Sequence, residues 1–337
     1  MKAAIYGAGS IGTVLGALIS KKGVDIELVD NDPKQVEALQ KNGAILKGTI
    51  ELNTPVKAIF PEQMTPGYDV IILAINSNGN SEVLPKLEPL LKKEGVLLTV
   101  QNGLPEMEIL KVIGSDRTMG ATIDWNCELV EPGVVVIHTD QDFLWTHIGK
   151  MPGVSSIQAM NARNLLENAC RLHYEVNFMG ARWCKLIVNC SFSVVSVIYG
   201  GTFGETVSKC ACRNLIAQCA REVLQVGRAN GITLPKLEGI NYYSFADYRT
   251  FIKKWYFMLS MKHLIRHNKN IRTTQLQNLE KGKKMELDAL CGNVIKVGKE
   301  HGIPTPVNEK LLEVASAIEQ KKEKQGLETI KKILREL

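Results

Sequence analysis

Lys2-Ala-Ala-Ile-Tyr6-Gly7-Ala8-Gly9-Ser10-Ile11-Gly12-Thr13-Val-Leu-Gly-Ala-Leu-Ile-Ser-Lys-Lys22, continued after Gly23 by Asp25-Ile-Glu-Leu-Val29-Asp30, is the stretch that decides the fold. The first five residues form a short apolar run suited to a buried parallel strand, and Thr13 to Lys22 reads as a helix. The second apolar run ends on an acid. Strand, glycine turn, helix, strand and acid in that order is the dinucleotide-binding fingerprint in its proper setting. Gly7 allows the tight turn, Gly9 lets the backbone approach a pyrophosphate, and Gly12 lets the helix lie close on the strand. The freed N–H groups and the positive end of the helix dipole then face the phosphates. Gly7, Ala8, Gly9, Ser10, Ile11, Gly12 and Asp30 are thus the candidate contacts for a nicotinamide dinucleotide. The alternative is a glycine-rich structural turn.

With 337 residues, 45% hydrophobic and 23% charged, the chain has room for two domains with sizeable cores. No apolar run reaches transmembrane length, and the N-terminus is committed to a strand rather than a signal peptide. The eight cysteines are scattered, with no CxxC pair and no His or Cys cluster to hold a metal. A cytoplasmic, reduced, metal-free protein is expected. The net charge of +6 is modest. The basic stretch Lys253 to Lys284 lacks the aromatic stacking set or motif of a nucleic-acid binder, and neither nucleic acid nor a membrane is an expected partner. It is either a solvated face or a field that draws in an anionic cofactor and substrate.

Along the chain, Asp32 to Gly43 starts and stops as a short helix, with Pro33 in its first turn and glycine past its end. Residues 44 to 60 suggest a small β excursion. Asp69 to Ile75 reads as a buried strand, Ser81 to Lys93 as a helix, and Gly95 to Val100 as a strand leading into Gln101-Asn102-Gly103. A further strand lies near Thr118 to Ile123, and residues 130 to 149 resemble a hairpin added to the sheet. Alternating strands and helices imply a doubly wound parallel sheet whose ligands collect at the carboxyl ends of the strands, where Asn76 and Asn102 also fall. From Asn177 onward the pattern is helical. Phe178 to Tyr199 is apolar on nearly all sides, as a buried helix is. Glu205 to Asn230 reads as one long helix, residues 244 to 270 as one or two, and Lys284 to Glu300 and Thr305 to Glu319 as two more. Leu327 to Leu337 offers either a dimer contact or a helix folded onto its own domain. The expected fold is α/β: a Rossmann-type sheet domain over 1–175, then an all-helical domain over 176–337. In many small dehydrogenases of that layout the active site is the cleft between the halves.

Lys185, Asn189 and Ser193 recur at four-residue spacing and share one face of the buried helix. On such a face a lysine can donate a proton to a carbonyl oxygen as hydride arrives at carbon. The bland alternative is a lysine snorkelling to solvent. Glu286 borders the core stripe Leu287, Leu290, Cys291, Val294 and Val297, with Asp288 on a more exposed arc. It could hold a substrate hydroxyl or orient the lysine, or it could simply be a first-turn acid.

Gly7-Ala-Gly-Ser-Ile-Gly12, Gln101-Asn-Gly103, Trp183-Cys-Lys-Leu-Ile-Val-Asn189 and Met285-Glu-Leu-Asp288 leading to His301-Gly-Ile-Pro-Thr-Pro306 occur in the order seen in ketopantoate reductases, and the chain resembles that family over nearly its whole length. The resemblance implies a Rossmann domain plus a helical domain, and hydride transfer from NAD(P)H to the ketone of ketopantoate, giving pantoate for coenzyme A synthesis. It implies that Lys185 is the general acid and Glu286 the second active-site group. By the same resemblance Asn102 is the cofactor and substrate amide, and Asn189 contacts the substrate. The sequence departs from the family at Asn76, where a lysine is usual, and at Ser193 and Phe203, where asparagines are. Thr274 stands where a serine helps to hold the substrate carboxylate, and it keeps the hydroxyl. These departures leave open a relative reducing another small 2-oxo acid, and a third reading is a non-enzymatic dinucleotide sensor, for which the fingerprint alone would suffice. A sensor has no need of Lys185, Asn189 and Glu286. NADPH is usual in the family. Here Asp30 sits where a ribose 2′-OH would lie, with no arginine beside it, which favours NADH; Lys34 is the nearby cation that could rescue a 2′-phosphate. Small-molecule substrate and cofactor are the expected partners, with a homodimer as the alternative to a monomer.

Overall fold

The computed structural model describes residues 1–237, 240–266 and 268–337. Two sheets carry the first half. Strands β1 (Ala3–Tyr6), β2 (Glu27–Val29), β3 (Ala44–Gly48), β4 (Leu52–Thr54), β5 (Lys57–Ile59) and β6 (Tyr68–Leu73) are followed by β7 (Leu91–Thr99), β8 (Thr118–Ile123), β9 (Cys127–Glu131), β10 (Val134–Ile137), β11 (Trp145–Lys150) and β12 (Arg171–Tyr174). The main sheet has the order β12-β11-β8-β7-β6-β1-β2-β5, and the small one β4-β3-β10-β9. From β5 to β8 every neighbour in the main sheet is parallel. The chain leaves β1 for β2 on one side and returns to β6 on the other, so the order reverses at β1/β6, where ligands bind in such sheets.

The strands hold because both faces are buried, which is why they read as unbroken apolar runs. Ala3, Ile5, Val70 and Ile72 pack into the core on one face of the sheet, and Ala4, Ile71, Leu73 and Leu97 into that on the other.

The expected elements need correction in both halves. The hairpin is β9 and β10, it joins the small sheet beside β3, and β11 instead pairs antiparallel with β8 in the main sheet. The helix begun at Asn80 ends at Leu87, and a 3-10 turn containing Pro89 leads into β7 four residues early. The helix expected over Glu205–Asn230 breaks at Lys209, which is extended (φ −90°, ψ 127°), giving Phe203–Ser208 and Cys210–Ala229. Arg213 Nη1 donates to the carbonyls of Val207 and Ser208, satisfying acceptors left over at the break. Finally, Phe178–Tyr199 is a 22-residue helix apolar enough in composition to span a membrane, contrary to the sequence reading, but 83% of its most apolar window is buried inside the protein.

The chain divides into two compact units, Met1–Gln101 with Pro105–Phe178, and Asn102–Leu104 with Met179–Leu337. The second is helical throughout its regular elements. Phe178–Val188 continues through five π-helical residues, Asn189–Ser193, into Val194–Tyr199, which Gly200 ends in the left-handed conformation. Residues 244–270 contribute the end of Tyr242–Ala246 and the helix Phe251–Leu264, position 267 lying outside the described residues. Val194–Tyr199, Cys210–Ala229, Pro306–Glu319 and Leu327–Glu336 pack on one another. Glu222, buried in the second of these, accepts from the backbone N–H groups of Val307 (3.0 Å) and Asn308 (2.7 Å), and so caps the third. Ile330 and Ile333 are buried, so the last helix is folded onto its own unit.

Candidate active site

In the first unit the glycine turn leaves β1 with Gly7 at φ +104°, a conformation open to glycine and strained for other residues. A Cβ at Gly12 would lie 1.9 Å from the Gly7 carbonyl oxygen and 3.1 Å from Ile5 Cγ2, so only a hydrogen lets the helix Ser10–Lys21 sit on the strand. At Gly9 a Cβ would meet no described atom within 4 Å. That open space over the turn, at a helix N-terminus with neither a side-chain cap nor a first-turn acid, fits a pyrophosphate held by backbone N–H groups.

Asp30 is half-buried at the end of β2. Its carboxylate accepts from Ala8 N at 2.8 Å and from Asp32 N at 3.0 Å. Burial pushes its pKa up, and the backbone donors of Asp32 and Ala8 oppose that only in part. Lys34 is exposed one turn on. Asn76 is exposed too. Its Oδ1 accepts from Asn78 N at 3.0 Å, capping the short turn after β6. Asn76 is thus a turn-former in this chain.

Two buried glutamines hold this end of the sheet, and sequence reading assigned neither a role. Gln35 Nε2 donates to the Ala8 carbonyl (2.6 Å) and Thr13 Oγ1 (3.2 Å), while its Oε1 accepts from Gly133 N (2.8 Å). Gln101 Nε2 donates to Asn80 Oδ1 (2.7 Å) and to the Ile75 carbonyl (3.0 Å), tying the ends of β6 and β7.

In the second unit Lys185 and Asn189 are half-buried and Ser193 is buried, among buried Trp183, Leu186, Ile187 and Val194. The π-helical stretch explains how three residues four apart stay in line. An α-helix turns once in about 3.6 residues, so each four-residue step drifts round the helix. A π turn takes more residues per revolution, so the step from Asn189 to Ser193 cancels drift rather than adding to it. Sequence spacing identified the face but not the π turn.

Asn189 Nδ2 reaches Asn102 Oδ1 at 3.5 Å, bringing together two of the expected contacts. Asn102 counts with this unit although it lies three residues past the end of β7. Gly103 lets it do so: φ is +80°, and a Cβ there would lie 2.2 Å from the Ala289 carbonyl oxygen.

Glu286 is not in a helix. Residues 283–286 are irregular, and the helical run starts with the π turn Asp288–Gly292 before Asn293–Glu300, which corrects the helix expected from Lys284. Glu286 is buried and Asp288 exposed. The cause is Gln275: its Nε2 donates to Glu286 Oε2 at 3.2 Å, and its Oε1 accepts from Glu286 N at 2.8 Å. That paired contact holds the carboxylate and its backbone away from helical geometry. Gln275 sits in the helix Thr274–Glu280, whose cap is the buried Thr273 accepting from Leu276 N at 3.2 Å. Thr274 is exposed at the first helical position. Phe203 packs edge-on to Phe192, ring centres 5.9 Å apart. Among the described residues no group of His, Cys, Asp or Glu side chains could hold a metal ion.

Residues 3–153 match the family described as Ketopantoate reductase PanE/ApbA, and residues 177–319 match Ketopantoate reductase PanE/ApbA C terminal. The 2-dehydropantoate 2-reductase of Archaeoglobus fulgidus is 28% identical over 321 residues, covering 94% of this chain and 97% of that protein. Among solved structures, the ternary structure of D-mandelate dehydrogenase with NADH and anilino(oxo)acetate superposes with a TM-score of 0.81 at 18% identity, covering 96% of this chain and 99% of that one. The PanE/ApbA family ketopantoate reductase from Ralstonia eutropha gives 0.79 at 24% identity, with the same coverage.

Proposed function

We infer the function from one premise: this chain belongs to the ketopantoate reductase family. It is an NAD(P)-dependent oxidoreductase that reduces the ketone of ketopantoate (2-dehydropantoate) to pantoate, a step towards pantothenate and coenzyme A. The observation that carries the reading is the second unit's polar face, where half-buried Lys185 lines up with Asn189 and Asn189 reaches Asn102. The eight cysteines are all free, which fits the reducing cytoplasm as its location. A panel of 2-oxo acids, each with NADH and NADPH, followed by loss of reduced-nicotinamide absorbance, tests the function. Turnover of none of them would overturn it.

A reduced nicotinamide dinucleotide, its pyrophosphate held at the glycine turn, would supply the hydride for the carbonyl carbon. Lys185 gives a proton from its ammonium to the carbonyl oxygen, so that the ketone becomes an alcohol and the lysine is left neutral until solvent reprotonates it. Asn102 and Asn189 offer amide donors to substrate oxygens. Thr274 offers its exposed hydroxyl to the carboxylate, with Ser193 further along the lysine face. Glu286 accepts from a substrate hydroxyl, and Gln275 is a positioning residue that holds it. Glu286→Ala is expected to raise KM or lower kcat by about tenfold, the effect of one hydrogen bond to a charged group. Gln275→Ala should move the same parameter by less, and the double variant should be no worse than Glu286→Ala alone. Additive losses would separate the two residues.

For the cofactor we favour NADH. A fixed carboxylate at Asp30 accepts a hydrogen bond from a ribose 2′-OH and repels a 2′-phosphate. At about 4 Å and an effective dielectric of roughly 20, each unit of like charge costs on the order of 4 kcal/mol. Screening reduces this to about 1–2 kcal/mol, or roughly tenfold discrimination. Asp30→Asn keeps a carbonyl oxygen for Ala8 N–H while removing the charge. It should bring the kcat/KM ratio for NADH over NADPH close to unity. In the wild type the ratio should shrink as pH falls, because protonation of a carboxyl with a raised pKa removes the repulsion. A wild type that prefers NADPH, or an unchanged ratio in Asp30→Asn, refutes the assignment.

A second reading, another small 2-oxo acid, is favoured by one observation. The position of a usual substrate amide is taken by Phe203, buried edge-on against Phe192 beside Ser193. Higher kcat/KM for a 2-oxo acid with an apolar side chain than for ketopantoate would select it.

A further inference from the structure

Gln35 is buried in the helix Pro33–Asn42, and both ends of its side-chain amide are committed. The Gly133 N–H can only donate, so it fixes the amide oxygen, at 2.8 Å. The Ala8 carbonyl can only accept, so it fixes the amide nitrogen, at 2.6 Å. The orientation of the amide is therefore set by its partners. The remaining Nε2 hydrogen reaches Thr13 Oγ1 at 3.2 Å, and the buried Thr13 hydroxyl donates to the same Ala8 carbonyl at 2.7 Å. A carbonyl oxygen has two lone pairs, and on Ala8 both are taken.

Fixing that oxygen fixes the next donor. The Ala8–Gly9 peptide is planar and trans, so its N–H points opposite to its C=O. With the oxygen held against Gln35 and Thr13, the Gly9 N–H must point away from both. It has no hydrogen-bond partner among the described residues. On the other side of Ala8, its own N–H is held by Asp30 Oδ2 at 2.8 Å. Neither peptide flanking Ala8 can flip without breaking these bonds. The far anchor is the small sheet. Gly133 lies in the turn between β9 and β10 at φ +75°, and its carbonyl accepts from Ile45 N of β3 at 2.9 Å. β9 touches the glycine turn a second time, where the thiol of Cys127 at its start is in hydrogen-bond contact with the Ser10 hydroxyl. A donor aimed in advance costs no ordering when an anion arrives, whereas a peptide free to rotate spends part of the binding energy on it.

We propose that Gln35, together with Thr13, is a positioning residue of the cofactor turn: it holds the Ala8 carbonyl inward so that the Gly9 N–H meets a pyrophosphate oxygen, with the small sheet as its anchor. This rests on the reading of that turn as the dinucleotide site. Gln35→Met keeps the length of the side chain and loses its three hydrogen bonds. In calorimetric titration of the full chain it should bind ADP-ribose, which carries the pyrophosphate, about tenfold more weakly, as expected for one charge-assisted hydrogen bond. Adenosine, which lacks the pyrophosphate, should compete at millimolar concentrations as it does in the wild type. Thr13→Val removes the other donor to the same carbonyl and should weaken ADP-ribose binding by less, so it carries the test should Gln35→Met fail to fold. Wild-type affinity for ADP-ribose in both variants overturns the proposal. Equal losses for ADP-ribose and adenosine also overturn it, since they mark a general loosening rather than a lost aim at the pyrophosphate. A wild type that binds neither NADH nor ADP-ribose overturns the dinucleotide reading and the proposal with it. Binding is read without turnover, so a failure of the ketopantoate assignment alters none of these outcomes.

Discussion

Lys185→Ala is expected to lower kcat at least about a hundredfold, the lower end of what loss of a positioned general acid costs, with cofactor affinity unchanged. The lysine lies in the second unit on a face with Asn189 and Ser193, whereas the glycine turn expected to hold the cofactor is in the first. Its helix is built from buried residues on either side, Cys184 and Leu186, so truncation at a half-buried position should leave the fold intact. Stopped-flow and steady-state rates with saturating ketopantoate and cofactor, beside a cofactor titration of the same variant, separate chemistry from binding. Turnover within a few-fold of the wild type would show that the proton comes from elsewhere.

The second large effect separates two glycines three residues apart. At Gly9 an added Cβ meets no described atom within 4 Å, while at Gly12 it would lie 1.9 Å from a backbone oxygen. Gly9→Ala should therefore keep the wild-type Tm but weaken dinucleotide binding about 10- to 100-fold, the effect of losing one charge-assisted hydrogen bond to a phosphate. Gly12→Ala should cost about 2–3 kcal/mol of stability, as overpacking does, and lower Tm by roughly 5–10 °C in a domain of this size. Thermal melts and calorimetric titration with NADH measure both. A Gly9→Ala variant that binds normally would remove the pyrophosphate from the turn, and an unchanged melt for Gly12→Ala would contradict the helix–strand packing.

The Rossmann-type half was legible from sequence because its rules are local. A parallel strand buried on both faces is an unbroken apolar run, and the turn that follows must be glycine where a Cβ would strike a backbone oxygen. The helix Pro33–Asn42, with Asp32 and Gly43 at its ends, was readable for the same reason. The buried helix Phe178–Tyr199 was legible as a helix from its apolar wrap, and its polar face from the four-residue step. The family likewise followed from short motifs in order.

What local pattern could not decide are the contacts that join distant segments. β9, β10 and β11 fall in one stretch read as a single hairpin, and nothing local to their residues says which joins the small sheet and which the main one. Glu286 reads as a first-turn acid until Gln275, eleven residues earlier, is seen to take both its carboxylate and its backbone N–H. Gln35 secures Gly133 across 98 residues. A glutamine makes such bonds through a long neutral side chain that carries neither periodicity nor charge signal, so its place is known only when the partner is. The sequence by itself therefore determined the class of fold, the cofactor turn and the lysine face. Tertiary structure decided how the supporting shell is wired, because hydrogen bonds are satisfied by proximity in space rather than by spacing along the chain.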